Sequence, residues 1–235
     1  MNILQVNNLT KIYKTNKDKN RGIFGVSFEV KQGSFHAFIG ENGAGKTTTI
    51  KSIIGSFTDY QGEILINGIN VLKPEAKSKL GYVPENAIFP KELTVWEYLY
   101  SLALLSGVNK TQAKNKIETF LEKFEITNLK NAKPSNFSSG QKKKVLLIQA
   151  LLNDPEIIIL DEPAANLDPT ARYELFSLLN ELHAEGKTIL ISSHVLSEID
   201  KYVDSFTLIH NGSIILSGDK TQSLESIFYE KIIKA

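Results

Sequence analysis

The chain has no cysteine. That excludes disulfides, thiolate zinc sites and cysteine nucleophiles together, and at 235 residues it has enough chain to bury a core without staples. Charge of one sign is also missing in excess: 27 Lys and Arg stand against 26 Asp and Glu, a net charge of +1. Such a balance gives no global reason to bind nucleic acid or anionic lipid, and no nucleic-acid partner is expected. Long apolar runs are absent too. The longest, such as Val145 to Ile148 and Ile157 to Leu160, fall far short of the roughly 18 residues that cross a bilayer. Met1 is followed by polar Asn2 rather than by a basic segment leading into an apolar one, so a cytosolic location is expected. Repeats and low-complexity tracts are not evident.

What is present is alternation of strand and helix patterns. Ile3 to Val6, Val26 to Val30, Phe35 to Ile39 and Glu63 to Ile66 read as strands separated by turn pairs such as Gln32-Gly33 and Asn67-Gly68. Thr15 to Arg21 reads as a polar surface loop. The middle third turns helical over Val95 to Leu105 and Gln112 to Phe124, where Ile117, Phe120, Leu121 and Phe124 share one face. Ile157 to Leu160 and Thr188 to Ile191 then read as buried parallel strands, flanking a helix that carries Leu175, Leu178, Leu179 and Leu182. Asp168 before Pro169 marks that helix's start and Gly186 its stop. The last strand pattern, Ser213 to Leu216, lies close to Ala235, so little room for an added regulatory domain is expected.

The sharpest signal is Gly40-Glu41-Asn42-Gly43-Ala44-Gly45-Lys46-Thr47, which fits G-x-x-x-x-G-K-[ST] between a strand and a helical segment. A chain of this length matches by accident on the order of one time in a hundred. Glycines let backbone N–H groups close around phosphate, the helix start adds positive potential, Lys46 reaches the terminal phosphates and Thr47 can hold Mg²⁺. Asp161 and Glu162 follow the strand Ile157 to Leu160, at the carboxyl end where open α/β sheets build their sites. Their alternative is to cap the next helix; the upstream loop favours a metal-holding acid and a water-positioning one.

With those residues in place, nearly the whole chain resembles the ATP-binding subunit of an ATP-binding cassette (ABC) transporter. Ser138-Ser139-Gly140-Gln141 after Phe137 resembles the signature segment, Ala165-Asn166-Leu167-Asp168 the D-loop, and His194 after Ser192-Ser193 the switch histidine. Tyr13 stands where the family stacks an aromatic on adenine, and Glu85 stands at the Q-loop position. Tyr82-Val83-Pro84-Glu85-Asn86, then Leu93-Thr94-Val95, resembles the branch that serves ABC-2-type exporters.

The resemblance implies an α/β P-loop NTPase with a mostly parallel core sheet, an N-terminal antiparallel β subdomain and an inserted helical subdomain. The core and β subdomain would occupy residues 1–84 and 151–235, and the helical subdomain with the signature segment residues 85–150. It implies ATP bound by Tyr13, Gly40, Asn42, Gly43, Ala44, Gly45, Lys46, Thr47 and Thr48, and from the opposite subunit by Ser138, Gly140 and Gln141. Thr47, Asp161 and Glu85 would serve Mg²⁺, and Glu162, His194 and Lys46 catalysis. A second ATPase subunit, identical or not, and an integral membrane permease would be partners, holding the chain at the cytoplasmic face of the membrane. A non-transport ATPase, such as a cofactor-assembly factor, and a weakly hydrolysing regulatory cassette share these motifs.

Two departures stand out. Ser139 replaces the first glycine of the signature pair and adds a Cβ and hydroxyl; Glu85 replaces glutamine and supplies an anion instead of an amide. Lys142 to Lys144 reads as a solvated helix face. Phe89, Trp96, Tyr98 and Tyr100 suit either a docking groove or the helical subdomain's own core.

Overall fold

The computed structural model describes residues 1–13, 21–86 and 88–234. Most of the loop expected over Thr15 to Arg21 therefore lies outside the described residues. In chain order the elements are β1 (Asn2–Ile12), β2 (Gly22–Lys31), β3 (Phe35–Ile39), α1 (Lys46–Ile53), β4 (Gln61–Ile66), β5 (Ile69–Asn70), α2 (Pro74–Lys77), β6 (Leu80–Val83), α3 (Val95–Leu105) and α4 (Lys110–Lys123). There follow α5 (Ser139–Leu151), β7 (Ile157–Leu160), α6 (Pro169–Ala184), β8 (Thr188–Ser193), α7 (Leu196–Ile199), β9 (Ser205–His210), β10 (Ser213–Asp219) and α8 (Leu224–Phe228).

Two sheets form, a four-stranded one in the order β2-β1-β4-β5 and a six-stranded one in the order β10-β9-β3-β8-β7-β6. β1 pairs antiparallel with β2 and β4, whereas β9, β3, β8, β7 and β6 run parallel to their neighbours, with only β10 reversed at the edge. The near-continuous Ile and Leu of β7 and β8 follow from this, since a parallel strand is covered on both faces. Alternate residues divide between two cores. Ala37, Ile39, Ile158, Leu160, Ile189 and Ile191 pack toward α3, α4, α5 and α6, while Phe38, Ile157, Ile159 and Leu190 pack toward α1 and the antiparallel sheet.

The helix termini obey their local chemistry. Thr94 and Glu97 make a reciprocal capping box at α3, and Asp168 Oδ1 accepts from the Ala171 amide at 2.9 Å at the head of α6. Gly186, in a left-handed conformation at φ 90°, follows α6 as expected. Strands β6 and β9 have no counterpart in the sequence reading; β9 carries Ser205, Thr207 and His210 among its apolar residues, which hides its run.

Those polar residues form a buried network. His36 Nδ1 and Nε2 lie 2.8 Å from Ser205 Oγ and 2.8 Å from Thr207 Oγ1, and Thr207 Oγ1 is 2.7 Å from Ser217 Oγ. Burial pulls the His36 pKa down to about 3, against a smaller upward pull from Asp219. The unfolded chain protonates this histidine near pH 6.5 while the fold keeps it neutral, so stability is complete above that pH and is lost as pH falls toward 3. Between pH 7.5 and 5 the loss is about 2 kcal/mol. Denaturant unfolding should show this decrement in the wild type and not in His36→Asn; equal pH slopes would contradict it.

Candidate nucleotide site

The parallel strands end together. Ile39 pairs with Ser193, Leu160 with Ile191 and Val83 with Leu160, so the carboxyl ends of β3, β8, β7 and β6 lie on one rim. From that rim depart the loop Gly40 to Gly45, Asp161-Glu162, His194 and Glu85. Reversal of strand order about β3 places the rim where open α/β sheets form ligand crevices.

Gly40 cannot carry a side chain there, because a Cβ would stand 2.3 Å from the Ile209 carbonyl oxygen. Gly45 sits at φ 115° as the N-cap of α1, and a Cβ would meet Ile23 Cγ2 at 2.6 Å. The first turn of α1 contains no acid, leaving its amide end positive. A cavity of about 540 Å³ opens above it, walled by Tyr13, Lys46, Thr47, Glu85, Glu162 and His194. Asn42, Gly43, Gly45 and Thr48 line the same cavity, whereas Gly40 and Ala44 do not. Tyr13 Oη lies 3.1 Å from Thr48 Oγ1, and its ring meets Phe57 edge to face.

Lys46 is buried and donates to the carbonyls of Gly40 at 2.8 Å and Glu41 at 3.1 Å. Its Nζ also lies 3.2 Å from Glu162 Oε1, an ion pair without hydrogen-bond alignment. Glu162 Oε2 accepts from His194 Nδ1 at 2.8 Å, with that nitrogen protonated, and from the His194 amide at 3.3 Å. The glutamate backbone is left-handed at φ 43°, a conformation that costs of order 1–3 kcal/mol outside glycine. Ser192 Oγ steadies it by accepting from the Glu162 amide at 2.9 Å and donating to Asp161 Oδ1 at 2.8 Å. Sequence reasoning assigned Ser192 no role; its signal is a hydroxyl at the end of an otherwise apolar buried strand.

Asp161 is buried, and burial raises its carboxyl above the ordinary range, opposed by hydrogen bonds from Ser192 and Thr47. Thr47 Oγ1 lies 3.4 Å from Asp161 Oδ1. A hydroxyl and a carboxylate are hard oxygen donors of the kind that would suit Mg²⁺. No group of three or more His, Asp or Glu side chains forms a ready metal cage among the described residues. Neither Asp161 nor Glu162 caps the next helix; Asp168 does.

Ser138, Gly140 and Gln141 are elsewhere. They border a separate depression of about 390 Å³ against Asp168, Ala171 and Glu174. Ser138 and Gln141 form a capping box at the head of α5, and a Cβ on Gly140 would meet Ala171 Cβ at 2.8 Å. Local structure thus accounts for part of this motif. The lysine run after it is not the solvated face expected: Lys143 is 4% exposed, and Lys144 pairs with Glu174 at 2.9 Å. Lys143 stands three and four residues before Leu146 and Leu147, on the face of α5 turned to the core. Of the aromatics, Phe89 is buried, and Trp96 stacks on Tyr100 beneath Lys130.

A phosphate-shaped loop opening a helix, with a strand-end acid pair facing its lysine, defines a P-loop nucleoside triphosphatase. Residues 23–165 match the ABC transporter family, and the chain belongs to that family. The relative named "Putative ABC transporter ATP-binding protein" from Mycoplasma pneumoniae is 49% identical over 207 residues, which are 88% of this chain and 63% of that relative. The chain thus spans less than two thirds of that relative's length. The Nod factor export ATP-binding protein I of Burkholderia orbicola is 35% identical over 86% of this chain and 67% of its own. The solved ATP-binding subunit of an ABC transporter superposes with a TM-score of 0.84 at 32% identity, covering 97% of this chain and 98% of that one. This is an ABC ATPase domain.

Proposed function

We propose that two copies of this domain, or one copy and a related subunit, close head to tail around two ATP molecules and drive a separate membrane permease. The observation that carries the reading is the division of the ATP-binding set. Tyr13, the glycine loop, Glu162 and His194 share one cavity, while Ser138, Gly140 and Gln141 border another. A second subunit supplies the missing half of each site.

In the closed state the loop amides and Lys46 hold the β- and γ-phosphates, and Tyr13 stacks on the base. Glu162, aligned by His194 and by the Ser192 hydroxyl, orients the attacking water and takes its proton. His194 and Lys46 then stabilise charge on the transferring phosphoryl group. Mg²⁺, held by Thr47 and Asp161 with Glu85 in the same wall, supplies charge neutralisation at the phosphate oxygens when bound. The Lys46–Glu162 ion pair must open before either residue meets substrate, so nucleotide entry rearranges the acid.

No helix among the described residues is long and apolar enough to cross a membrane; in the proposed assembly the membrane-spanning part is the permease, with this domain at its cytoplasmic face. Export is the direction favoured by the segment around Glu85 and by the likeness to a relative named for Nod factor export. Tagged protein isolated from gently solubilised native membranes should carry a stoichiometric polytopic membrane protein, identified by mass spectrometry. Recovery only with soluble proteins, and absence from membranes, would contradict the transport reading and favour a non-transport ATPase.

A further inference from the structure

The lysine within the Lys142 to Lys144 run that turns inward has specific partners. Lys143 Nζ donates to the main-chain oxygens of Pro84 at 2.7 Å and Glu85 at 2.6 Å. These two carbonyls belong to the turn that leaves β6, and Glu85 lines both the nucleotide cavity and the cavity beneath Ala165-Asn166. The same turn is tied to the metal-holding acid from the other side, since the Asp161 amide donates to the Val83 carbonyl at 3.0 Å. Lys143 itself lies within the second turn of α5, whose first turn presents Ser138, Gly140 and Gln141. Among the described residues no other side chain of those two turns hydrogen-bonds the Pro84-Glu85 segment.

The choice of a lysine at this position needs explanation. A buried ammonium without a salt-bridged carboxylate is costly, and burial pulls this one down to about 8, with Glu85 and Asp161 at longer range raising it. An apolar side chain would avoid that cost and leave the Pro84 and Glu85 carbonyls without this donor. What the lysine supplies is a pair of directed bonds from the signature helix to the turn that directly follows β6. Hydrogen bonds between rigid elements are a physical route by which displacement of one biases the other.

We infer that Lys143 is a positioning residue that couples the Pro84-Glu85 turn, beside one nucleotide's metal site, to the first turn of the helix that faces the other nucleotide. The inference rests on the head-to-tail dimer proposed above. Through this link, occupancy at the loop and acid of one subunit is transmitted to that subunit's signature segment, and so to the second site. The effect is cooperativity between the two ATP molecules, because each site's closure biases the geometry offered to the other.

The test compares wild type with Lys143→Met in steady-state ATPase assays over ATP concentration, and follows ATP-dependent dimerisation of both in a Glu162→Gln background by light scattering. Lys143→Met should keep its thermal midpoint within about 5 °C, keep KM for ATP within about twofold, lower kcat about tenfold and bring the Hill coefficient toward 1. Lys143→Gln, which keeps a donor group without the charge, should fall between the two and serves alone if the methionine variant does not fold. A folded variant with wild-type kcat and Hill coefficient would overturn the inference, as would a wild type whose ATPase is non-cooperative. Failure of Glu162→Gln itself to dimerise with ATP would instead overturn the head-to-tail reading, whatever Lys143 does.

Discussion

Lys46→Ala should lose ATP binding by roughly 100-fold and turnover by more than that. Lys46 is 6% exposed, and its Nζ is held at the lip of the glycine loop by two carbonyls and by Glu162. Among the described residues no other lysine or arginine combines that burial with a position inside the loop, so its removal takes the buried ammonium out of the phosphate loop and leaves the loop's own contribution to its backbone amides. A buried, charge-assisted contact of this kind is worth about 3 kcal/mol, a factor of roughly 100 in affinity. The substitution also strands Glu162 Oε1, which accepts no hydrogen bond in this structure. Equilibrium binding of a fluorescent ATP analogue would measure the effect; affinity within threefold of wild type would remove Lys46 from the phosphate site.

Glu162→Gln acts on a different step. The amide keeps the size of the side chain and can still accept from His194, so the left-handed turn at residue 162 and the cavity wall should persist. It cannot take a proton from water. General-base loss costs roughly 10² to 10⁴ in rate, and kcat should fall by about that factor while ATP affinity is kept or rises. Because Glu162 also faces Lys46 at 3.2 Å, neutralising it frees the ammonium for phosphate. The variant should therefore accumulate as a nucleotide-bound dimer. Wild-type turnover in Glu162→Gln would move the general base to another residue, with His194 or Glu85 the nearest alternatives.

Much of this site was legible in the chain because its chemistry is local. The glycine loop and Lys46 are contiguous, Asp161 and Glu162 directly follow an uninterrupted apolar strand, and Asp168-Pro169 states a helix start in two residues. What the sequence concealed depends on packing across distance. Strand β9 escaped notice because Ser205 and Thr207 interrupt its apolar residues, and their reason for being there is His36, far away in the chain. Lys143 was hidden by its neighbours: three consecutive lysines read as one solvated patch, yet a helix turns each residue by about 100°. The middle one falls on the stripe of Leu146 and Leu147. Ser192 gave no signal beyond its place at a strand end, since its partners Asp161 and Glu162 come from the adjacent strand.

If the two halves of the ATP site come from different subunits, the chain's lack of cysteine allows a direct test. Asn42→Cys lies in the loop that lines the nucleotide cavity, and Ser139→Cys lies at the exposed head of α5. The two substitutions, each in the Glu162→Gln background and on separate chains, are mixed and oxidised with and without Mg²⁺ and ATP. A disulfide-linked heterodimer, joined through the two introduced thiols, should form with nucleotide and not without it. Cross-linking that is absent with ATP, or equal in its absence, would contradict a shared site between two copies of this chain.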